Sequence, residues 1–176
     1  MQKTKKITFI ALAAAVMCVL GPISVPIPVS PVPVSLGLFA IYAAVFVLGM
    51  RYGTYAVAVY ILLGFAGLPV FSGFSGGAGK LLGPTGGYII GYIFAALISG
   101  FFVDKFENKK ILNVTGMLVG TAACYLFGTF WLMYQADLPF GAALTEAVLP
   151  FIPADVVKII AVMLVCPRLR SIVKNL

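Results

Sequence analysis

The sequence predicts an all-α membrane protein, a bundle of six transmembrane helices with both termini cytoplasmic, and three observations carry that reading. Of 176 residues, 62% are hydrophobic and only 10% charged, and the mean hydropathy is +1.11. That is an integral membrane protein with little chain left for anything else. The apolar residues fall in long runs, and at about 20 residues per spanning helix six of them nearly exhaust the chain. Ten of the twelve basic residues (Lys3, Lys5, Lys6, Arg51, Lys105, Lys109, Lys110, Arg168, Arg170 and Lys174) lie at the termini or in alternate connections. Cytoplasmic segments collect Lys and Arg, so both ends of the chain are read as inside. Residues 1–176 form a single membrane domain, with helices expected at 7–20, 35–50, 52–68, 87–103, 111–134 and 150–167.

The net charge of +7 is scattered over segment ends rather than gathered on one soluble face, which excludes a nucleic-acid partner from the expectation. Cys18, Cys124 and Cys166 sit in apolar runs without metal-ligand spacing, and the chain has no histidine, the usual general base and metal ligand.

The first helix follows a short basic tail, Met1–Lys6. It could mimic a signal peptide, but no small-residue cleavage site follows, so it is read as retained. Ala11 and Ala15 give it a face with almost no side chain, which lets another helix approach closely. The run Gly21–Val34 holds five prolines and no charge. Proline at that density predicts extended, polyproline-like backbone lying against the bundle and capping a pocket. Helices 2 and 3 are divided only by a tight turn at Arg51 and Gly53.

Gly67–Gly87 carries eight glycines in 21 residues. Gly76-Gly77-Ala78-Gly79-Lys80 has some likeness to a phosphate loop, yet Phe74 stands where its first glycine belongs and Leu81 where Ser or Thr would hold magnesium. Backbone N–H groups approaching a small ligand, or tight packing of the loop, fit these glycines better. Helix 4 bears a stripe of Gly87, Gly91, Ala95 and Ser99, and helix 5 a stripe of Gly116, Gly120, Cys124 and Gly128. Two such faces should pack on each other. Trp131 and Tyr134 then close helix 5 at an interface. A short helix at Phe140–Ala147 interrupts the last loop.

Helix 6 contains two full charges, Asp155 and Lys158, about 60° apart on one face. Each costs about 2.5–3.5 kcal/mol at the centre of a membrane helix, so they face protein or water rather than lipid. They either neutralise each other and hold the bundle, or hold a polar ligand. The proline-rich loop, the glycine-rich loop and the Asp155 end all fall on the outer side.

The stretches GLPVFSGFSGGAGKLLGPTGGYIIGY (Gly67–Tyr92) and PFIPADVVK (Pro150–Lys158) resemble the BioY family. These are the biotin-specific substrate-binding S components of energy-coupling factor (ECF) transporters, and the resemblance covers the whole chain. It implies no enzyme and no cofactor. It implies a protein of the bacterial cytoplasmic membrane that captures biotin outside and docks on a transmembrane coupling (T) subunit carrying two ATPases. On that reading Asp155 accepts from the ureido N–H groups, and Lys158 donates either to the ureido oxygen or to the valerate carboxylate. If the ureido end lies deep, Lys80 and the backbone N–H groups around Gly76–Gly79 are candidates for the carboxylate; Tyr88 is one for an aromatic wall, and Thr85 and Phe74 for further contacts. Phe71 and Phe74 either close over the bicycle or face lipid. Ala11 and Ala15 resemble the docking face for the T subunit. The rivals are an intramembrane enzyme, an assembly protein, and an S component for a related vitamin.

Overall fold

The computed structural model describes residues 3–28, 30–107 and 109–175. Helix α1 spans Lys3–Leu20 and leads into a two-stranded antiparallel ribbon, β1 Ser24–Ile27 and β2 Ser30–Ser35. Helix α2 covers Gly37–Phe65, the short α3 Ala78–Leu81, α4 Gly86–Lys105, α5 Lys110–Ala136, α6 Phe140–Ala147 and α7 Ile152–Asn175. Among the described residues α2, α4 and α5 are long and apolar enough to cross a membrane by length and composition.

Helix α2 is two arms, not one rod. At Gly49 the backbone turns to φ 80°, ψ 176°, a conformation that favours glycine. A Cβ on Gly53 would lie 2.6 Å from the Cα of Val45. In an unbroken helix those two residues stand about 12 Å apart along the axis, so the chain folds back on itself here. Asp104 of α4 holds the break, accepting the Met50 N–H at Oδ2 over 2.8 Å. Arg170 of α7 reaches the same spot, donating to the Phe46 carbonyl at 2.6 Å and to Asp104 Oδ1 at 3.0 Å. A cation thus sits at the C-terminus of the first arm and a carboxylate at the N-terminus of the second, as the helix dipoles favour.

The proline-rich stretch corrects the expectation of polyproline-like backbone. It pairs as a ribbon, Ser24 with Ser35 and Val25 with Val34, with an irregularity between Val25 and Ile27 where Pro26 stands. A ribbon of two strands has two free edges and a bulge, the places where proline's missing N–H costs no ladder bond.

The small-residue stripes of α4 and α5 meet. Added Cβ atoms would lie 2.3 Å from Trp131 Cβ at Gly87, 3.0 Å from Cys124 Cα at Gly91, and 3.0 Å from the Ala95 carbonyl at Gly120. The two helices therefore run antiparallel at backbone distance, and Gly128 leaves a slot for the Tyr88 ring. Trp131 pins the pair to the glycine-rich loop by donating from Nε1 to the Gly83 carbonyl at 2.9 Å. The bundle has two unlike ends as a result. One carries the break in α2 with Asp104, Glu107, Arg170 and Lys174; the other carries the ribbon, the glycine-rich loop, α6 and the start of α7.

Candidate ligand pocket

At the ribbon end, six segments enclose a cavity of about 600 Å³, its mouth included. Its inner wall is charged. Asp155 falls in the first turn of α7, where the helix dipole favours a carboxylate, and its N–H closes that turn on the Phe151 carbonyl at 2.9 Å. One turn on, Lys158 donates to Asp155 Oδ1 at 2.6 Å. The two residues are only 5% and 8% exposed. Burying two charges costs several kcal/mol per ion, and the desolvation is offset only with good geometry and further hydrogen bonds. Tyr125 of α5 supplies one of these, its hydroxyl donating to Asp155 Oδ2 at 2.6 Å.

The remaining walls are apolar and aromatic. Tyr88 of α4, seated in the Gly128 slot, tilts against Phe151 with ring centroids 6.3 Å apart. Phe71 enters from the glycine-rich loop, 1% exposed, and stands edge-on to Tyr60 at 5.6 Å. Gly64 makes that possible, since a Cβ there would fall 2.1 Å from the Phe71 ring. Val32, Pro33 and Ser35 of β2 supply the ribbon's side of the cavity. Hydroxyls of Ser72, Thr85 and Tyr92 add polar points around the rim and walls. An apolar chamber with one charged, hydrogen-bonded set suits a small solute with an apolar body and a compact polar head that both donates and accepts.

Of the residues singled out in the sequence, Asp155, Lys158, Tyr88 and Thr85 line this cavity. Thr85 also donates to the Lys80 carbonyl at 3.4 Å. Lys80, Gly79 and Phe74 do not line it. Phe74 is 71% exposed with φ 53°, and Gly79 sits on α3 with open space where a Cβ would point. Lys80 is half-buried on the same short helix, and burial pushes its ammonium below the usual lysine range. Of the two loop phenylalanines, Phe71 turns inward and Phe74 outward. On α1, Ala11 and Ala15 are exposed, whereas Ala14 and Met17 are buried, Met17 in a cluster with Ile41 and Tyr60 of α2.

Tyr125, Tyr92, Phe151 and Ser35 went unnoticed in the sequence. A signal for Tyr125 was present: Cys124 belongs to the stripe that faces α4, so its neighbour is turned about 100° away, toward α7.

Comparison with known proteins agrees over the whole length. The model of the BioY family matches residues 1–175. The chain is 39% identical to the biotin transporter BioY of Thermotoga maritima over 149 residues, 84% of this chain and 86% of the other. It is 36% identical to that of Lactococcus lactis subsp. cremoris over 176 residues, 97% and 93% of the two chains. A crystal structure of the S component for biotin from an ECF-type ABC transporter superposes with a TM-score of 0.90 at 35% identity, covering 97% of this chain and 93% of that one.

Proposed function

The chain belongs to the BioY family, and we propose that it is the substrate-capturing S component of a biotin uptake transporter, binding biotin in the cavity at the ribbon end. The family is one of transporter subunits, and the chain is not an enzyme. The observation that carries the reading is the buried Asp155–Lys158–Tyr125 set in an otherwise apolar chamber.

Biotin has the matching chemistry. Its ureido ring offers two N–H donors and a carbonyl acceptor, its bicycle is apolar, and its valerate ends in a carboxylate. Asp155 has a second lone pair on each oxygen with which to accept from the ureido N–H groups. Lys158 gives one N–H to Asp155 and keeps two for the ureido oxygen. The bicycle then lies between Tyr88, Phe71 and Phe151, and the valerate runs outward past Thr85 toward the glycine-rich loop. Lys80 is half-buried on that loop, so part of the desolvation of its ammonium is already met in the protein before a carboxylate arrives to pair with it, with Gly79 and Phe74 on the same loop.

On this reading α1, the two arms of α2, α4, α5 and α7 make six passes through the bacterial cytoplasmic membrane. The basic end, with both termini, faces the cytoplasm and the pocket faces out. The chain has no phosphate-loop motif of its own, so uptake needs a motor: a T subunit with two ATPases, docked along Ala11 and Ala15.

Calorimetric titration of the purified protein with biotin, thiamine and riboflavin tests the substrate. Saturable binding of biotin alone is expected. Binding of another vitamin in its place, or of none, would overturn the assignment.

A further inference from the structure

Helices α1 and α7 both lean on α2 and scarcely touch each other. Between them runs an apolar groove of about 660 Å³, its open side counted, walled by Leu12 and Val16 of α1, Ala43 of α2 and Leu169 of α7. Away from the ligand pocket the groove opens into a second cavity of about 500 Å³, its open mouth counted, and Phe9, Val47, Leu48 and Val173 border both. The mouth is cationic: Lys6, Arg170 and Lys174 line it beside Tyr52, and no carboxylate does among the described residues.

These cations are not equally engaged. Arg170 uses all three of its nitrogens, on Glu107, the Phe46 carbonyl and Asp104. Lys174 donates to Glu107, and an ammonium with three N–H groups keeps two. Lys6 lies over the Tyr52 ring, 5.3 Å from its centroid, and makes no ion pair among those formed by the described residues. Two lysines, one from each helix, thus face a gap that continues as a hydrocarbon-lined slot.

We propose that the cavity and groove together hold one anionic phospholipid, its phosphate between Lys6 and Lys174 and one acyl chain along the slot between α1 and α7. A free phosphate accounts for the mouth and leaves the slot empty. A zwitterionic lipid fills the slot but brings its own ammonium toward two lysines. Basic pockets between helices at the membrane surface are suited to anionic headgroups, each Lys or Arg adding about 1 kcal/mol. The lipid face is not the small-residue face of α1. At about 100° per residue, Ala11 and Ala15 point roughly 130° from the mean direction of Phe9, Leu12, Ala13 and Val16.

The test uses purified protein in detergent, with melting followed on addition of phosphatidylglycerol, phosphatidylcholine or glycerol 3-phosphate. Phosphatidylglycerol is expected to raise the Tm well beyond phosphatidylcholine, and glycerol 3-phosphate to leave it unchanged. In competition between the two lipids, Lys6→Gln and Lys174→Gln should each lower the preference about fivefold, measured against each variant's own lipid-free melt. Ala13→Phe, which fills the slot, should lose both lipids. Equal stabilisation by the two lipids, a preference that survives both lysine changes, or the full effect from glycerol 3-phosphate would each overturn the proposal.

Discussion

Tyr125 on α5 donates to Oδ2 of Asp155 on α7 at 2.6 Å, while Lys158 takes Oδ1 at the same distance. The same two residues border a crevice between α5 and α7 with Leu118 and Ile159. Their hydrogen bond is therefore the partition between the candidate pocket and the outer face of the bundle. It also fixes the carboxylate from a second helix, so the rotamer of Asp155 does not depend on Lys158 alone.

If the set receives the ureido ring, Asp155→Asn should weaken biotin binding by about 1.5–3 kcal/mol, the worth of a hydrogen bond to a charged group. Tyr125→Phe, which removes one supporting donor and keeps the ring, should cost less, about 1 kcal/mol. Titration calorimetry with a parallel melt reads both. A purely structural pair predicts the opposite pattern: either single change destabilises the bundle, and Asp155→Asn with Lys158→Met restores it with binding intact.

Much of this pocket was legible in the chain because its expensive parts are conspicuous. A carboxylate and a lysine three residues apart in an apolar run have few explanations, and Asp155 and Lys158 stand together as their spacing implied. Stripes of small residues likewise announce close packing, and α4 and α5 meet along them. What escaped was whatever depends on tertiary approach. Tyr125 is one aromatic among many until α7 is placed beside it, and the glycine-rich loop folds Phe71 inward but leaves Phe74 and Gly79 outside the cavity lining. The ribbon was misjudged because proline density speaks against helix without specifying which extended partner a strand finds.

Gly87 should tolerate no side chain. Its Cβ would fall 2.6 Å from the Phe127 carbonyl as well as 2.3 Å from Trp131 Cβ. Gly87→Leu must push α4 off α5, and the cost should reach or exceed the roughly 1–3 kcal/mol of ordinary overpacking. A lowered melting temperature, followed by Trp131 fluorescence, checks it; a melt like the parent's would mean the helices are not held at backbone distance.

At the other end, acid should loosen the link between α7 and the turn after α4. Lys174, and then Arg170, hold the Glu107 carboxyl below the usual carboxylate range. A carboxyl depressed in the folded protein stabilises it above its unfolded pKa, near 4.5, and that stability fades as pH falls through the folded value. The melting temperature should therefore drop as pH is taken below about 4.5, with a shallower drop in Glu107→Gln. Glu107 is well exposed, so the effect is small and reduced by salt. Identical profiles for parent and variant would remove Glu107 from the account.

Orientation is open to labelling. Ala78 on the glycine-rich side and Lys110 at the start of α5 are both exposed. In intact cells Ala78→Cys should react with an impermeant thiol reagent, and Lys110→Cys only after the membrane is opened. The reverse pattern would turn the molecule over and move the pocket to the cytoplasm.

The last prediction separates capture from transport. Ala11 and Ala15 carry no chemistry, so their face can act only by admitting another helix to backbone distance. Within the protein α1 packs by a different side, where Ala14 and Met17 are 2% and 1% exposed and Met17 clusters with Ile41 and Tyr60 of α2. Ala11 and Ala15 themselves stand exposed. Nor does the face reach the candidate pocket, whose lining includes no described residue of α1. Ala11→Trp and Ala15→Trp should therefore leave the isolated protein folded and binding biotin at its normal affinity. If the face receives the T subunit, the same variants should fail to co-purify with the coupling module and fail to drive biotin uptake. Loss of biotin binding in both isolated variants would place the face inside the bundle; full uptake by both would leave the T subunit to dock elsewhere.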